Sequence, residues 1–130
     1  MTAIHLWRGA LPALLALACL GPHPALAFEP QRGTASVYDA DQFAGRQMAN
    51  GDRFDPAANH AAHRHLPFGT VVSVTNLRTG ASTIVVISDR GPFIPGRIID
   101  LSPRSARAIG MGIGLAPVEI RPLEEVAQAP

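Results

Sequence analysis

The sequence predicts a mainly β protein, folded as a closed barrel of five or six short strands with one or two short helices. Two observations support this prediction. Several short runs either alternate apolar and polar side chains or are rich in β-branched residues, and loops rich in glycine and proline separate them. Such strands are expected to close into a barrel, because closure removes the unpaired edges of a sheet.

Five runs are predicted as strands, and they lie at residues 34–38, 70–76, 82–88, 97–101 and 117–121. The second run alternates apolar and polar residues, as a strand with one buried face does. The third run consists almost wholly of β-branched residues, and the turn at 77–80 joins it to the second. We expect these two strands to pair as a hairpin.

A short helix is predicted between the last two strands. Ser102 is placed to cap it, Pro103 to be its first residue and Gly110 to end it. Ala106 and Ile109 lie on one side of such a helix, and we expect them to pack on the barrel.

The barrel domain is expected to span residues 33–123. A short segment at 28–32 precedes it, and a polar tail at 124–130 follows it. Neither flanking segment has a strand or helix pattern, so both are predicted to lack regular structure.

The N-terminal 27 residues have the pattern of a secretory signal peptide. Arg8 precedes an apolar run at 10–20, and the small-x-small triplet at 25–27 marks cleavage after Ala27. The run is shorter than the roughly 20 residues that a membrane span needs. We therefore expect export to the periplasm or cell envelope. Lipid attachment at Cys19, which would make an outer-membrane lipoprotein, is the less favoured alternative.

The charge balance excludes several classes of partner. The chain has 11 basic residues, all of them arginine, against 10 acidic residues, and a formal net charge of +1. No basic surface is therefore expected for nucleic acid or for anionic lipid. We expect a monomer without a cofactor.

Residues 39–67 form a long segment with little strand or helix pattern, and such loops are often functional. His60, His63 and His65 lie within it. Three imidazoles at this spacing could hold a metal, but no cysteine or carboxylate completes a known ligand spacing, so we predict no metal site. We interpret His60 and His65 as exposed loop residues, and His63 as held against the barrel and pointing into a cleft.

Three aspartates receive different interpretations. Asp89 ends a β-branched strand, so a rigid element is expected to present it at the barrel rim. Asp55 lies in a turn-rich segment, where carboxylates usually cap backbone N–H groups. Asp100 is expected to be a structural acceptor, bonded to backbone or to an arginine such as Arg97 or Arg90.

Seven segments together resemble the rare lipoprotein A (RlpA) family, bacterial septal lytic transglycosylases with a double-psi β-barrel domain. The likeness runs in the family's order and spacing from about residue 33 to residue 123. The segments are GTASVY at 33–38, ANGDRFD at 49–55, AAHR at 61–64, LPFGT at 66–70, VTN at 74–76, DRGPF at 89–93 and RIIDLS at 97–102.

The resemblance implies a six-stranded double-psi barrel and an endolytic lyase reaction. The implied substrate is the glycan strand of peptidoglycan, without stem peptides. The bond between N-acetylmuramic acid (MurNAc) and N-acetylglucosamine (GlcNAc) is cleaved, and the muramoyl C6 hydroxyl closes a 1,6-anhydro ring. This chemistry needs one group to protonate the leaving oxygen and one to accept the C6 hydroxyl proton.

The family's catalytic residues can be carried over by motif. The resemblance implies that Asp89 is the general acid/base, that His63 orients a carboxylate or the sugar, and that Asp52 stabilises charge or shares the proton. Asp52 departs from the family, which commonly has glutamate at this position. Because the side chain is one methylene shorter, this position is the main open question about activity.

Substrate contact is also implied by the resemblance. Val37 replaces the tryptophan that usually precedes Tyr38, and this change is expected to shift sugar contact onto other aromatic rings. The predicted substrate-binding residues are Tyr38, Asn50, Phe54, Arg90 and Phe93.

Two alternatives remain open from the sequence. The same barrel resembles expansins, and the departures at Asp52 and Val37 favour a non-catalytic peptidoglycan-binding or wall-loosening module. A scaffold for envelope proteins is the other alternative. The C-terminal glycan-binding repeat domain of many relatives has no counterpart in this sequence, so septal targeting is not expected.

Overall fold

The structure, a computed structural model, describes residues 29–112 and 114–123. The predicted signal peptide, Cys19, Phe28 and the tail at 124–130 lie outside the described residues. The elements in chain order are β1 Gln31–Val37, α1 Ala40–Phe43, β2 His60–Ala62, β3 Val71–Asn76, β4 Ser82–Asp89, β5 Arg97–Leu101, α2 Pro103–Ala108 and β6 Ala116–Pro122. None of the helices within the described ranges has the length and apolar character needed to cross a bilayer.

The six strands close into a barrel in the order β1-β5-β2-β4-β3-β6. Two neighbouring pairs are parallel, β1 with β5 and β2 with β4, and the other pairs are antiparallel. The predicted mainly β fold, the closed barrel and the short helices are therefore confirmed.

The core follows from the alternation of the strands. In β3, Val72 and Val74 point inward and are fully buried. Asn76 continues the same inward face, and its side-chain amide donates a hydrogen bond to the Ile109 carbonyl at 2.9 Å. This bond fixes the end of the predicted β3–β4 hairpin against the segment that follows α2, because a buried amide must find a partner.

The helix α2 has the predicted boundaries. Ser102 caps it by accepting the N–H of Ser105, Pro103 is its first residue, and Gly110 follows it with φ +71°. Ala106 and Ile109 are fully buried in the barrel core, as predicted.

Two secondary-structure predictions are wrong. The loop expected at 39–67 contains α1 and the strand β2, which lies between β4 and β5. A three-residue strand has too few residues to show a period, and its two alanines have low β propensity. Gln31 and Arg32 were expected to lack regular structure, yet they pair with Ile120 and Glu119 of β6.

Candidate active site

Asp89 is the last residue of β4, and three hydrogen bonds fix its half-buried carboxylate. Oδ2 accepts the hydroxyl of Tyr38 at 2.5 Å. Oδ1 accepts the backbone N–H of Ala49 at 2.8 Å and that of Arg90 at 2.9 Å. Donors from three separate parts of the chain therefore converge on this side chain, which sits at the end of a strand as the sequence predicted.

Tyr38 follows β1 and lies in a second apolar cluster, outside the barrel core, with Phe54 and Met48. Its ring centroid is 4.6 Å from that of Phe54 and 5.4 Å from that of Phe43. Tyr38 and Phe54 are only 7% and 3% exposed. Both were predicted to contact sugar, but these buried rings have little surface to offer a glycan. They pack beneath the Asp89 carboxylate, to which the Tyr38 hydroxyl donates.

The loop over Asp89 brings Asn50 and Asp52 to the same rim. The loop is fastened by the Asn50 N–H, which donates to the Ser88 carbonyl at 3.1 Å, next to the bond from Ala49. The Asn50 amide donates to Asp52 Oδ2 at 2.9 Å, and both side chains are exposed. Among the hydrogen bonds of the described residues, none joins the carboxylates of Asp52 and Asp89.

His63 follows β2, and its backbone N–H donates to the Asp89 carbonyl at 3.1 Å. Its ring is 4% exposed, so it is held against the barrel as predicted. Ring Nδ1 accepts the N–H groups of His65 and Leu66, each at 3.1 Å. Since Nδ1 is an acceptor, the proton of the neutral ring lies on Nε2, which donates to Gln31 Oε1 at 3.0 Å.

The His63 imidazole is neutral near pH 7. Burial, together with the charges of His65, Arg64 and Arg90, lowers its pKa to about 4. Both ring nitrogens are occupied by Gln31 and by the following loop. In this structure the ring therefore shapes the 63–66 turn, and its predicted contact with a carboxylate or sugar stays a prediction.

Arg90 joins that turn to the site. Its Nη1 donates to the carbonyls of His63 at 3.2 Å and of Leu66 at 2.8 Å. Its guanidinium lies 3.9 Å from the centroid of the Phe68 ring. Phe93, three residues further along, is 75% exposed and supplies apolar surface beside the site.

The other two histidines of this segment, His60 and His65, differ in their exposure. His65 is exposed as predicted. His60 is buried rather than exposed, because it lies in β2 with its ring against Phe54 at 4.9 Å. Burial lowers its pKa, and its Nε2 lies 3.0 Å from the Asp55 carbonyl. Within residues 29–112 and 114–123 no group of three metal-ligating side chains comes together.

Asp55 caps backbone as predicted, accepting the N–H of Ala57 at 2.9 Å. The prediction for Asp100 is wrong. Its Oδ1 is buried and has no hydrogen-bond partner among the described residues. The ion pairs among the described residues are those of Glu119 with Arg32 and Arg121, and Arg90 donates to the Leu66 carbonyl.

Asp100 has an unusual environment for a carboxyl group. Its pKa is raised to about 6, because burial and the charge of Asp89 raise it by more than the Ser36 hydroxyl and Arg97 lower it. Its place between two core positions in a strand favoured the interpretation of Asp100 as a structural acceptor. A carboxylate flanked by Ile99 and Leu101 was nonetheless a signal, since such a position alternates onto the face opposite the core.

Comparison with known proteins places this site in a family context. The sequence profile described as lytic transglycolase matches residues 30–120. A Nostoc protein named probable endolytic peptidoglycan transglycosylase RlpA is 58% identical over 94 residues, which are 71% of this chain and 25% of that protein. A Synechocystis protein of the same name is 49% identical over 115 residues, 85% of this chain and 36% of that protein. The chain thus spans about a quarter to about a third of these relatives.

Among solved structures, an expansin from Clavibacter michiganensis superposes with a TM-score of 0.58 at 20% identity, over 73% of this chain and 50% of that one. This likeness concerns the fold alone. It identifies the closed barrel as a double-psi β-barrel, as the sequence predicted.

Proposed function

The chain belongs to the lytic transglycolase family, and on that premise we propose that it is an endolytic peptidoglycan transglycosylase. It cleaves the glycan strand between MurNAc and GlcNAc and leaves 1,6-anhydroMurNAc ends. The relatives that bear this activity in their names support the proposal. Its role is the remodelling of the cell wall.

The single observation that most supports this chemistry is the carboxylate of Asp89. Oδ1 accepts two N–H groups and Oδ2 accepts one hydroxyl, so Oδ2 retains one free lone pair. A carboxylate oxygen held so rigidly is suited to accept the proton of the C6 hydroxyl as that oxygen closes on C1. No water is consumed.

Residues around the Asp89 carboxylate stabilise charge, position the site and contact the sugar. Asp52 lies on the loop that donates to Asp89 through Ala49, where its charge stabilises an oxocarbenium-like state. His63 is neutral, and its ring accepts a hydrogen bond from the turn that follows it. It thereby orients the backbone carbonyl to which Arg90 donates. Phe93 supplies an exposed ring for the sugar, and Asn50 an exposed amide.

We further propose that the protein is exported by its leader, cleaved after Ala27, and works as a monomer in the periplasm or cell envelope. The leader pattern and the place of peptidoglycan outside the cytoplasm support this location. Glycan strands without stem peptides are the proposed substrate. Cleavage after Ala27 would remove Cys19, and with it the candidate site of lipid attachment.

The test is to incubate the purified exported protein with peptide-free glycan strands and to search for 1,6-anhydroMurNAc ends by mass spectrometry. Wild-type protein should produce them. Asp89→Asn should not, whereas Asp41→Asn, which alters an exposed carboxylate in α1, should retain wild-type activity. If wild-type protein co-sediments with peptidoglycan but forms no new ends, the binding or wall-loosening module is correct and the enzyme proposal is wrong.

A further inference from the structure

Asp89 is aligned with a second carboxyl group across the sheet. Ala62 of β2 pairs with Asp89 of β4 on one side and with Asp100 of β5 on the other, and Asp100 pairs in turn with Ser36 of β1. Residues that are directly paired across strands point to the same face. The side chains of Ser36, Asp100, Ala62 and Asp89 therefore form one row on the face opposite the barrel core.

The row places the two carboxyl groups within reach of one glycosidic bond. Two strand spacings separate the Cα atoms of Asp89 and Asp100 by about 10 Å. Carboxyl pairs that act together in glycosidases lie roughly 5–9.5 Å apart, a range that side chains on this spacing reach. The hydroxyl of Tyr38 donates to Asp89, and the charges of Asp89 and Asp100 both raise the pKa of this phenol.

The two carboxyl groups differ in their partners. Asp89 accepts three hydrogen bonds, two from backbone N–H groups and one from a hydroxyl. Asp100 has one buried oxygen without a partner, a position that favours the neutral acid. The residue as a whole is half-buried. Paired carboxyl groups in contrasting environments divide the roles of acid and base.

We propose that Asp100 is a second catalytic residue, the acid that protonates the leaving oxygen, while Asp89 is the base. This inference rests on the proposed transglycosylase function. Asp100 gives its proton to O4 of GlcNAc as the C1–O4 bond breaks. The C6 oxygen of MurNAc bonds to C1, and its proton passes to Asp89. Return of one proton from Asp89 to Asp100 restores the resting state, with no co-reactant.

The experiment compares Asp100→Asn with Asp89→Asn on two substrates. The first is the peptide-free glycan strand, whose sugar leaving group needs a proton. The second is a 4-nitrophenyl glycoside of MurNAc, whose leaving group departs without one. Asp100→Asn should lose about 100-fold or more in rate on strands, and less than about tenfold on the nitrophenyl glycoside, because general-acid catalysis matters little there. Asp89→Asn should be strongly impaired on both.

A pH profile on glycan strands gives a second readout, which a structural role would not move. Wild-type activity should fall as pH rises above about 6, where Asp100 loses its proton. The groups facing Asp100 are Ser36 and Tyr38 from the β1 side, Arg97 on its own strand and Asp89 from β4. Asp100→Glu should recover part of the activity and keep a fall on the alkaline side, whereas the residual activity of Asp100→Asn should lack it.

Three results would be decisive. If wild-type protein is active and Asp100→Asn keeps its rate on strands within about threefold, well short of the 10²-fold expected of a general acid, Asp100 is not the acid. Equal losses on both substrates, with an unchanged melting temperature, would also overturn the assignment. Absence of activity in wild-type protein would instead refute the proposed function itself. Asp41→Asn serves as the matched control, since that carboxylate lies on α1, outside the row.

Discussion

The hydroxyl of Tyr38 donates a 2.5 Å hydrogen bond to Oδ2 of Asp89. Burial raises the pKa of this phenol, and the charges of Asp89 and Asp100 raise it further, so Tyr38 stays a neutral donor. Its ring is fixed between Phe43 and Phe54. The position of the carboxylate therefore depends on an aromatic cluster that contributes no charge of its own.

The Tyr38→Phe variant should separate that bond from the packing. The ring remains, so the cluster should fold, while one donor to Asp89 is lost. We expect the rate of 1,6-anhydroMurNAc formation to fall about tenfold, as expected for a misplaced catalytic group. We also expect the unfolding free energy to fall by about 1.5–3 kcal/mol, the range for a hydrogen bond to a charged group. Urea denaturation and mass spectrometry measure the two effects, and an unchanged rate would contradict the first.

Arg90→Lys tests the link between the 63–66 turn and the site. Arg90 donates to two carbonyls and stacks on Phe68, which lysine cannot reproduce with a single ammonium group. We expect a loss of about 1–2 kcal/mol in unfolding free energy and a lower rate. Arg78→Lys is the control, because that side chain is exposed on a turn. Equal stability of the two variants in urea would show that Arg90 is not a structural link.

Phe93→Ala tests sugar contact at the rim. The ring is 75% exposed, so its loss should leave the melting temperature unchanged. Co-sedimentation with peptidoglycan should weaken about three- to tenfold if the ring stacks on a sugar. Ile84→Ala removes an apolar side chain from the outer face of β4 that is 53% exposed, and it should bind as wild type does. A similar loss in both variants would mean that binding follows general surface hydrophobicity.

Asp52 can be tested by restoring the residue common in the resembled family. Its carboxylate is exposed and bonded only to Asn50 among the described residues, so a longer side chain has room. We expect Asp52→Glu to raise the rate, by up to about 10²-fold if the shorter chain misplaces the charge by about 1 Å. Asp52→Asn should lower it. A rate that is the same in all three proteins would show that this position has no part in catalysis.

Local patterns predicted most of the barrel, because β3, β4 and α2 each have a period or a cap that neighbouring residues determine. The strand β2 escaped prediction because its three residues are specified by pairing with β4 and β5, which lie far along the chain. The site shows the same division. Asp89 was found from its place after a strand, whereas the bond from Tyr38 spans 51 positions and depends on closure of the barrel. The row that includes Asp100 is likewise a product of register.

The stability of the protein in acid should reflect two groups, the buried His63 and the half-buried Asp100, that act in opposite directions. The pKa of His63 is lowered to about 4 from 6.5, so the unfolded chain takes up its proton first and stability falls as pH drops through this window. The pKa of Asp100 is raised to about 6 from 3.8, so the folded protein takes up that proton first. Stability gained at Asp100 below pH 6 therefore offsets part of the loss at His63, to which His60 adds.

Asp100→Asn should expose this compensation. Without the carboxyl group, the unfolding free energy should fall more steeply between pH 6.5 and pH 4.5 than in wild type, by an extra amount on the order of 1 kcal/mol. At pH 7.5 the variant should be at least as stable as wild type, because the charge that is removed is shared by a buried oxygen without a hydrogen-bond partner. Urea denaturation at several pH values measures both slopes. A shallower slope in Asp100→Asn would show that the protein does not hold a proton on Asp100 in this range, since only a proton bound preferentially by the folded state stabilises the protein as pH falls.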